Sequence, residues 1–218
     1  MEYTDGYRHK GLRKKLVDSL RNHKIFDEKI LDAISNIPRH FFLDPAFADW
    51  AYKDIAFPID AEQTISQPYT VAFQTMLLDV QPKDKILEIG TGSGYQAAVL
   101  SYLGAKVYTI ERQEKLFHKT SVLLIEIGFE AIRTFLGDGY KGLPRYAPFD
   151  KIIITAGATE IPKDLLSQLK IGGTMIIPLG NNDDKDMVKL TKVDEKNVRM
   201  EKFGKFRFVP FLGGVERE

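Results

Sequence analysis

The chain opens on a four-residue beat. Leu12, Leu16 and Leu20 recur with Arg13, Lys14 and Lys15 between them, which predicts an amphipathic helix with a solvated basic face. Ile30, Ile34 and Ile37 predict a second helix that stops at Pro38, because proline cannot continue the hydrogen-bond ladder. From 39 to 67 the periodicity disappears while aromatic residues crowd in, with Phe41, Phe42, Phe47, Trp50, Tyr52 and Phe57. This stretch reads as irregular but ordered, its rings joining the N-terminal segment to the rest of the chain.

From Lys85 the texture changes to short β-rich runs alternating with helix-length segments. Strands are expected over 86–89, 106–110, 132–136, 150–155 and 174–177, and helices over 95–103, 114–127 and 163–169. Two more strands, 187–191 and 198–203, flank a charged turn and read as an antiparallel edge; the polar run 181–186 reads as an exposed turn. Alternating strand and helix means right-handed βαβ crossovers and a parallel sheet covered on both faces. The expected fold is α/β and doubly wound, a mostly parallel seven-stranded sheet with an antiparallel C-terminal edge and an N-terminal helical segment. We divide it into residues 1–69, packed on the core and contributing to the active site, and a ligand-binding α/β core over 70–218.

Composition narrows the function. A net charge of +1 over 218 residues removes the broad electrostatic case for a nucleic-acid or membrane-surface binder. With 44% hydrophobic and 28% charged residues, neither disorder nor a fibrous repeat fits. The absence of cysteine excludes disulfides, thiolate metal sites and cysteine nucleophiles. His9, His23, His40 and His118 show no metal-ligand spacing, so no metal is expected. No run approaches the roughly 20 apolar residues of a membrane helix, and the first fifteen residues lack a signal-peptide core, so a cytoplasmic protein is expected.

Ligands of open parallel sheets bind beyond the carboxyl ends of the strands, so the chemistry is sought in those loops. After the first strand comes Glu88-Ile-Gly-Thr-Gly-Ser-Gly94, whose glycines at 90, 92 and 94 allow close backbone approach to a ligand. The run from Gly92 to Ala97 also satisfies a dinucleotide pattern. Glu88 weighs against that: its carboxylate would repel a pyrophosphate but suits an ammonium and a sulfonium, both present in S-adenosylmethionine. Glu111 ends the second strand roughly 20 residues after Gly90, where an acid accepts from ribose hydroxyls. Gly137-Asp-Gly139 places Asp138 where it can accept from an adenine amino group, although a plain Asp-Gly turn would look the same.

These motifs, taken in order with Pro38-Arg39, Gln63-Thr-Ile-Ser-Gln-Pro-Tyr69, Ile86-Leu-Glu-Ile-Gly-Thr-Gly-Ser-Gly-Tyr-Gln-Ala97, Gly137-Asp-Gly-Tyr140, Thr155-Ala-Gly-Ala-Thr-Glu-Ile-Pro162 and Arg207-Phe-Val-Pro210, resemble the protein-L-isoaspartate (D-aspartate) O-methyltransferase family from about Ile37 to Phe211. The glycine loop alone indicates the S-adenosylmethionine-dependent methyltransferase type of sheet. Thr64-Ile-Ser-Gln-Pro68 joined to it looks specific to the isoaspartyl enzymes. Departures are Glu62 where glycine is usual, Leu143 where an aromatic is common and Phe211 where leucine is typical.

The resemblance implies transfer of a methyl group from S-adenosylmethionine to the free α-carboxylate of isoaspartyl residues in damaged proteins and peptides, with no nucleic acid or membrane partner. It implies Ser66 as the catalytic residue. The implied cofactor set is Thr64, Ile65, Gln67, Glu88, Gly90, Thr91, Gly92, Ser93, Gly94, Glu111, Arg112, Asp138 and Gly139. Ser66 or Gln67 also stands where a cap would precede Pro68 at a first helical position, so a capping role remains open. Two other readings are a methyltransferase for a small molecule or RNA, and a non-catalytic cofactor-binding protein. The stretch 155–159 lacks the Asn/Asp-Pro-Pro-aromatic motif expected of an RNA enzyme.

Overall fold

A computed structural model describes residues 3–23, 25 and 27–217. Helix α1 (Tyr7–Asn22) buries Leu16 and Leu20 as the periodicity predicts, with Leu12 half-buried, but it also buries Val17 and Arg13. The expected solvated basic face therefore holds for Lys14 and Lys15 alone. Arg13 turns inward because Asp5 takes its guanidinium at 2.8 Å, and Ser35 O and Tyr52 OH accept its other donors. Helix α2 (Glu28–Asn36) is capped by Asp27, whose carboxylate accepts from Lys29 N, and ends before Pro38. Two 3-10 turns follow, Arg39–Phe42 and Pro45–Trp50, then a small hairpin of β1 (Phe57–Pro58) and β2 (Thr64–Ile65).

Helix α3 (Pro68–Leu78) is buried nearly all round, Val71, Ala72, Leu77 and Leu78 alongside Thr70, Gln74 and Thr75, so no amphipathic period marks it. The sheet then runs β3 (Lys85–Ile89), β4 (Lys106–Glu111), β5 (Arg133–Leu136), β6 (Phe149–Ile154), β7 (Leu169–Leu179), β8 (Asp184–Lys192) and β9 (Val198–Arg207), with α4 (Tyr95–Tyr102), α5 (Glu114–Glu126) and α6 (Lys163–Ser167) between strands. Its order is β5-β4-β3-β6-β7-β8-β9, parallel through β7 and antiparallel beyond. This is the doubly wound seven-stranded fold expected. The turn predicted over 181–186 is shorter, because Asp184 and Asp186 already pair with Arg207 and Lys205 across the β8–β9 ladder. Those cross-strand charge pairs extend the strands with no hydrophobic signal.

Two cores sandwich the sheet. One joins Leu20, Ile34, Val71, Leu100 and Ile86; the other joins Leu87, Ile89, Ile152, Leu165 and Met175. The winding reverses between β3 and β6, which places the ligand crevice at the ends of β3, β4 and β6. Among the described residues no helix is long and apolar enough to cross a membrane.

Candidate active site

At the end of β3 the backbone rises through Gly90 at φ +94° and Gly92 at φ +51°. The Thr155 hydroxyl, at the end of β6, lies 2.9 Å from Ile89 O and 2.8 Å from Gly90 O, fastening the loop to the neighbouring strand. A Cβ at Gly90 would stand 2.6 Å from that hydroxyl, so this close approach requires glycine. From the other side, Gly90 N and Thr91 N donate to Ile110 O, and Thr120 Oγ1 donates to Gly92 O at 2.6 Å.

Glu111 is the hub of this wall. One carboxylate oxygen accepts from Gly92 N at 2.8 Å; the other accepts from Arg112 N and Gln113 N at 2.8 and 2.9 Å. Three of roughly four acceptor positions are filled, leaving one on a side chain that lines the pocket.

Glu88 does not share that position. It is fully buried on the Ile86 face of β3, beneath the loop, and accepts from Thr109 Oγ1 at 2.5 Å; Thr109 bonds in turn to Thr91 Oγ1 at 2.7 Å. Burial pushes its carboxyl up to about 8, so it is mostly neutral at pH 7. The charge argument that set Glu88 against a sulfonium is therefore corrected: strand parity puts this group in the core, where its link to the pocket runs through Thr109 and Thr91.

The far wall comes from the chain end. After β9, the segment beginning at Val209 is held by Gly157, whose amide donates to Val209 O at 2.8 Å and whose carbonyl accepts from Phe211 N at 2.9 Å. The Phe211 ring stacks on Tyr140 with centroids 4.0 Å apart, over Gly139, where a Cβ would meet Phe211 at 2.9 Å and Ile89 at 2.5 Å. The segment ends clamped onto Arg112. Glu216 N donates to Arg112 O, Glu114 N donates to Glu216 O, and the Glu216 carboxylate takes Arg112 Nη1 at 2.9 Å. Val209, Pro210, Phe211 and Leu212 thereby roof the pocket. Asp138 lies just behind, its carboxylate accepting from Tyr140 N at 2.9 Å.

Ser66 comes directly after β2. The helix that follows, α3, begins at Pro68, and the side chain of Gln67 at the cap position makes no capping bond; Asp54 accepts from Tyr69 N at 2.8 Å instead. Capping falls to Asp54, and Ser66 lines two cavities at once. One is the pocket of the glycine loop and Glu111; the other is a groove walled by Tyr69, Phe73 and Phe206, whose rings stack in series at 5.6 and 5.2 Å. Thr64, Thr155 and Val209 also belong to both.

Of the predicted residues, Thr64, Ile65, Ser66, Gly90, Thr91, Gly92, Ser93, Glu111, Arg112 and Gly139 line the first pocket. Gln67 lines only the second, and Glu88, Gly94 and Asp138 line neither. The sequence reading missed Gln63, Tyr95, Gln96 and the roof. Tyr95 and Gln96 lay within the quoted glycine motif, and Pro210 within another; contact across the fold carries no local signal. It also missed that Asp5, His9 and His40 converge, their ligand-type atoms within 4.8 Å. Asp5 is occupied by Arg13, and both His40 nitrogens are bonded, to Tyr52 OH and Thr4 O.

The pocket fits S-adenosylmethionine: a glycine loop that close packing keeps free of side chains, one spare carboxylate position for a ribose, and apolar walls from Ile89, Ile110 and Phe211 for a purine.

Comparison with known proteins agrees with this geometry. A family model described as Protein-L-isoaspartate(D-aspartate) O-methyltransferase matches residues 11–216. The protein-L-isoaspartate O-methyltransferases of Flavobacterium psychrophilum and Christiangramia forsetii are 58% and 56% identical over 208 residues, 95% of this chain and 97% of each relative. A solved protein-L-isoaspartate O-methyltransferase, 29% identical, superposes with a TM-score of 0.82, covering 93% of this chain and 67% of that one. A Plasmodium falciparum protein solved with S-adenosyl-L-homocysteine shares the fold at 20% identity, with a TM-score of 0.81 over 92% of this chain and 98% of that one. A match that begins in the first helix and ends on the clamp that closes the pocket covers the whole site, and the chain belongs to the protein-L-isoaspartate(D-aspartate) O-methyltransferase family.

Proposed function

We propose that this chain methylates the free α-carboxylate of L-isoaspartyl residues in damaged proteins and peptides, with S-adenosylmethionine as cosubstrate and Ser66 at the point of transfer. The observation that carries the reading is the position of Ser66 on the wall shared by the cofactor pocket and the aromatic groove. Methyl transfer needs donor and acceptor to meet from opposite sides, and Ser66 stands at that junction.

S-adenosylmethionine supplies an electrophilic methyl on a positive sulfur. An acceptor carboxylate is already ionised at neutral pH, with a reference value near 4, so the protein need not provide a general base. Ser66 donates a hydrogen bond to one acceptor oxygen and leaves the other to attack. Thr155, whose hydroxyl faces Ile89 O and Gly90 O, holds the loop rather than a proton in transit. Phe211 and Leu212 exclude water from above. Glu111 takes a ribose hydroxyl on its remaining acceptor position. Residues 1–69 contribute Ser66 and its flanking hairpin to a site otherwise built by the sheet.

Incubation with methyl-labelled S-adenosylmethionine and two peptides differing only in aspartate or isoaspartate tests this. Label on the isoaspartyl peptide alone is the expected result. Equal labelling of both, or none, would overturn the assignment.

A further inference from the structure

A buried guanidinium that makes no ion pair among the described residues stands behind Ser66, the Asp54 carboxylate acting on it only through space. Arg39 opens the first 3-10 turn and is 1% exposed. Its Nε donates to Ala51 O at 2.9 Å and its Nη2 to Ser66 O at 2.8 Å. Its Cζ lies 4.7 Å from the centroid of the Tyr95 ring, which lines the cofactor pocket. Nη1 is buried with no partner among the described residues. Burial lowers the group's pKa only to about 10, so it remains a cation at neutral pH.

Folding alone does not account for this arrangement. A buried charge that makes no ion pair is costly, and here one donor of the fork is left unsatisfied as well. Nor is Arg39 one tie among many at this place. The β1–β2 pairing ends at Ile65, and the bonds to Asp54, donated by Gln67 Nε2 and Tyr69 N, begin at Gln67. The guanidinium fixes the residue between them.

We propose that Arg39 is the positioning residue of Ser66: its contact with the Ser66 carbonyl sets where the hydroxyl meets the acceptor carboxylate, and its buried positive charge, which no ion pair ties up, favours an anionic acceptor in the adjoining pocket. This rests on the reading of Ser66 given above. Two parts of the side chain do separable work. The planar fork holds Ala51 O and Ser66 O together, which a lysine ammonium cannot reproduce, while lysine keeps the charge.

The test compares Arg39→Lys and Arg39→Gln with wild type, alone and combined with Ser66→Ala, in methyl transfer to an isoaspartyl peptide. Affinity for S-adenosyl-L-homocysteine is measured alongside by calorimetry. Arg39→Lys is expected to lower kcat about tenfold or more while leaving the peptide KM and the S-adenosyl-L-homocysteine affinity near wild type, because misorientation acts on the transfer step. Arg39→Gln should also raise the peptide KM, having lost the charge. In the Ser66→Ala background Arg39→Lys should cost little further rate, as expected of residues that act as a unit. Equal losses from Arg39→Lys with and without Ser66→Ala would overturn the proposal and leave the Ser66 reading standing. Wild-type transfer by Ser66→Ala alone would overturn both. Loss of S-adenosyl-L-homocysteine binding in parallel with rate, or failure of both Arg39 variants to fold, would make Arg39 purely structural and also overturn it.

Discussion

The Glu111 carboxylate reaches back to accept the Gly92 amide at 2.8 Å, so the residue expected to meet the ribose also holds the glycine loop in shape. Its second oxygen fastens Arg112 N and Gln113 N. Glu111→Ala should therefore weaken S-adenosylmethionine binding by about 1 to 3 kcal/mol, through a lost charged acceptor and a loosened loop together. Glu111→Gln, which keeps one acceptor oxygen, should fall between the two. Calorimetry with the intact fold verified separately decides; unchanged affinity in the alanine variant would show that the ribose is held elsewhere.

Glu88 predicts a pH dependence of stability. Its folded value of about 8 lies above its ordinary 4.5, so between these values the folded state binds more protons than the unfolded one. Its contribution is fully present below about pH 4.5 and is lost as pH rises through 8. Glu88→Gln should flatten the melting temperature across that window and raise it relative to wild type near pH 8. The affinity for S-adenosyl-L-homocysteine should change less than in Glu111→Ala, since Glu88 does not line the pocket. Parallel wild-type and variant profiles would show the carboxyl to be ionised in the fold.

The hairpin before Ser66 carries local strain. Ala61 and Glu62 sit at φ +56° and +55°, a left-handed conformation that glycine adopts without steric cost. The family resemblance places a glycine near 62, and the backbone supplies the reason. Glu62→Gly should raise stability by up to about 1 kcal/mol, the strain relief being partly offset by a more flexible unfolded chain. Denaturant unfolding measures it, and a loss of stability would mean that Glu62 makes compensating contacts.

Legibility followed locality. The glycine loop, Glu111 and the alternation of β3 to β7 are written in short, regular patterns, and each stands where those patterns put it. Only the start of helix α3, at Pro68, is legible in the sequence, because burial on nearly all sides erases amphipathic period beyond it. Arg13 and Glu88 were misread for one reason: a charged letter suggests solvent or ligand, whereas Asp5 and Thr109 hold these two inside. The parity of β3 placed Glu88 with Ile86 and against Ile89, a clue outweighed by its charge. The roof over 209–212 belongs to the site through contacts with Gly157 and Tyr140, more than 50 residues back in the chain.

The clamp between Glu216 and Arg112 has its own consequence. The pair is partly exposed, at 59% and 22% of the side chains, so its worth is modest and salt-sensitive. Glu216→Ala should speed release of bound S-adenosyl-L-homocysteine by a small factor at low salt, with the difference from wild type shrinking as salt rises. Stopped-flow release kinetics would show it, and identical rates at low salt would mean that the backbone bonds at residue 216, with Gly157 and Tyr140, hold the roof without the ion pair.

The most direct measurement of the central claim is single-turnover methyl transfer to an isoaspartyl peptide by wild-type, Ser66→Ala and Ser66→Thr enzymes across pH. Ser66→Ala should leave cofactor binding nearly unchanged and slow transfer by one hydrogen bond to a charged group, about 1.5 to 3 kcal/mol or roughly ten- to a hundredfold. Ser66→Thr should recover part of that loss. The wild-type rate should fall only as the acceptor carboxylate protonates, with no enzyme base titrating near neutrality. Wild-type transfer by Ser66→Ala, or an essential base appearing near pH 7, would contradict the account.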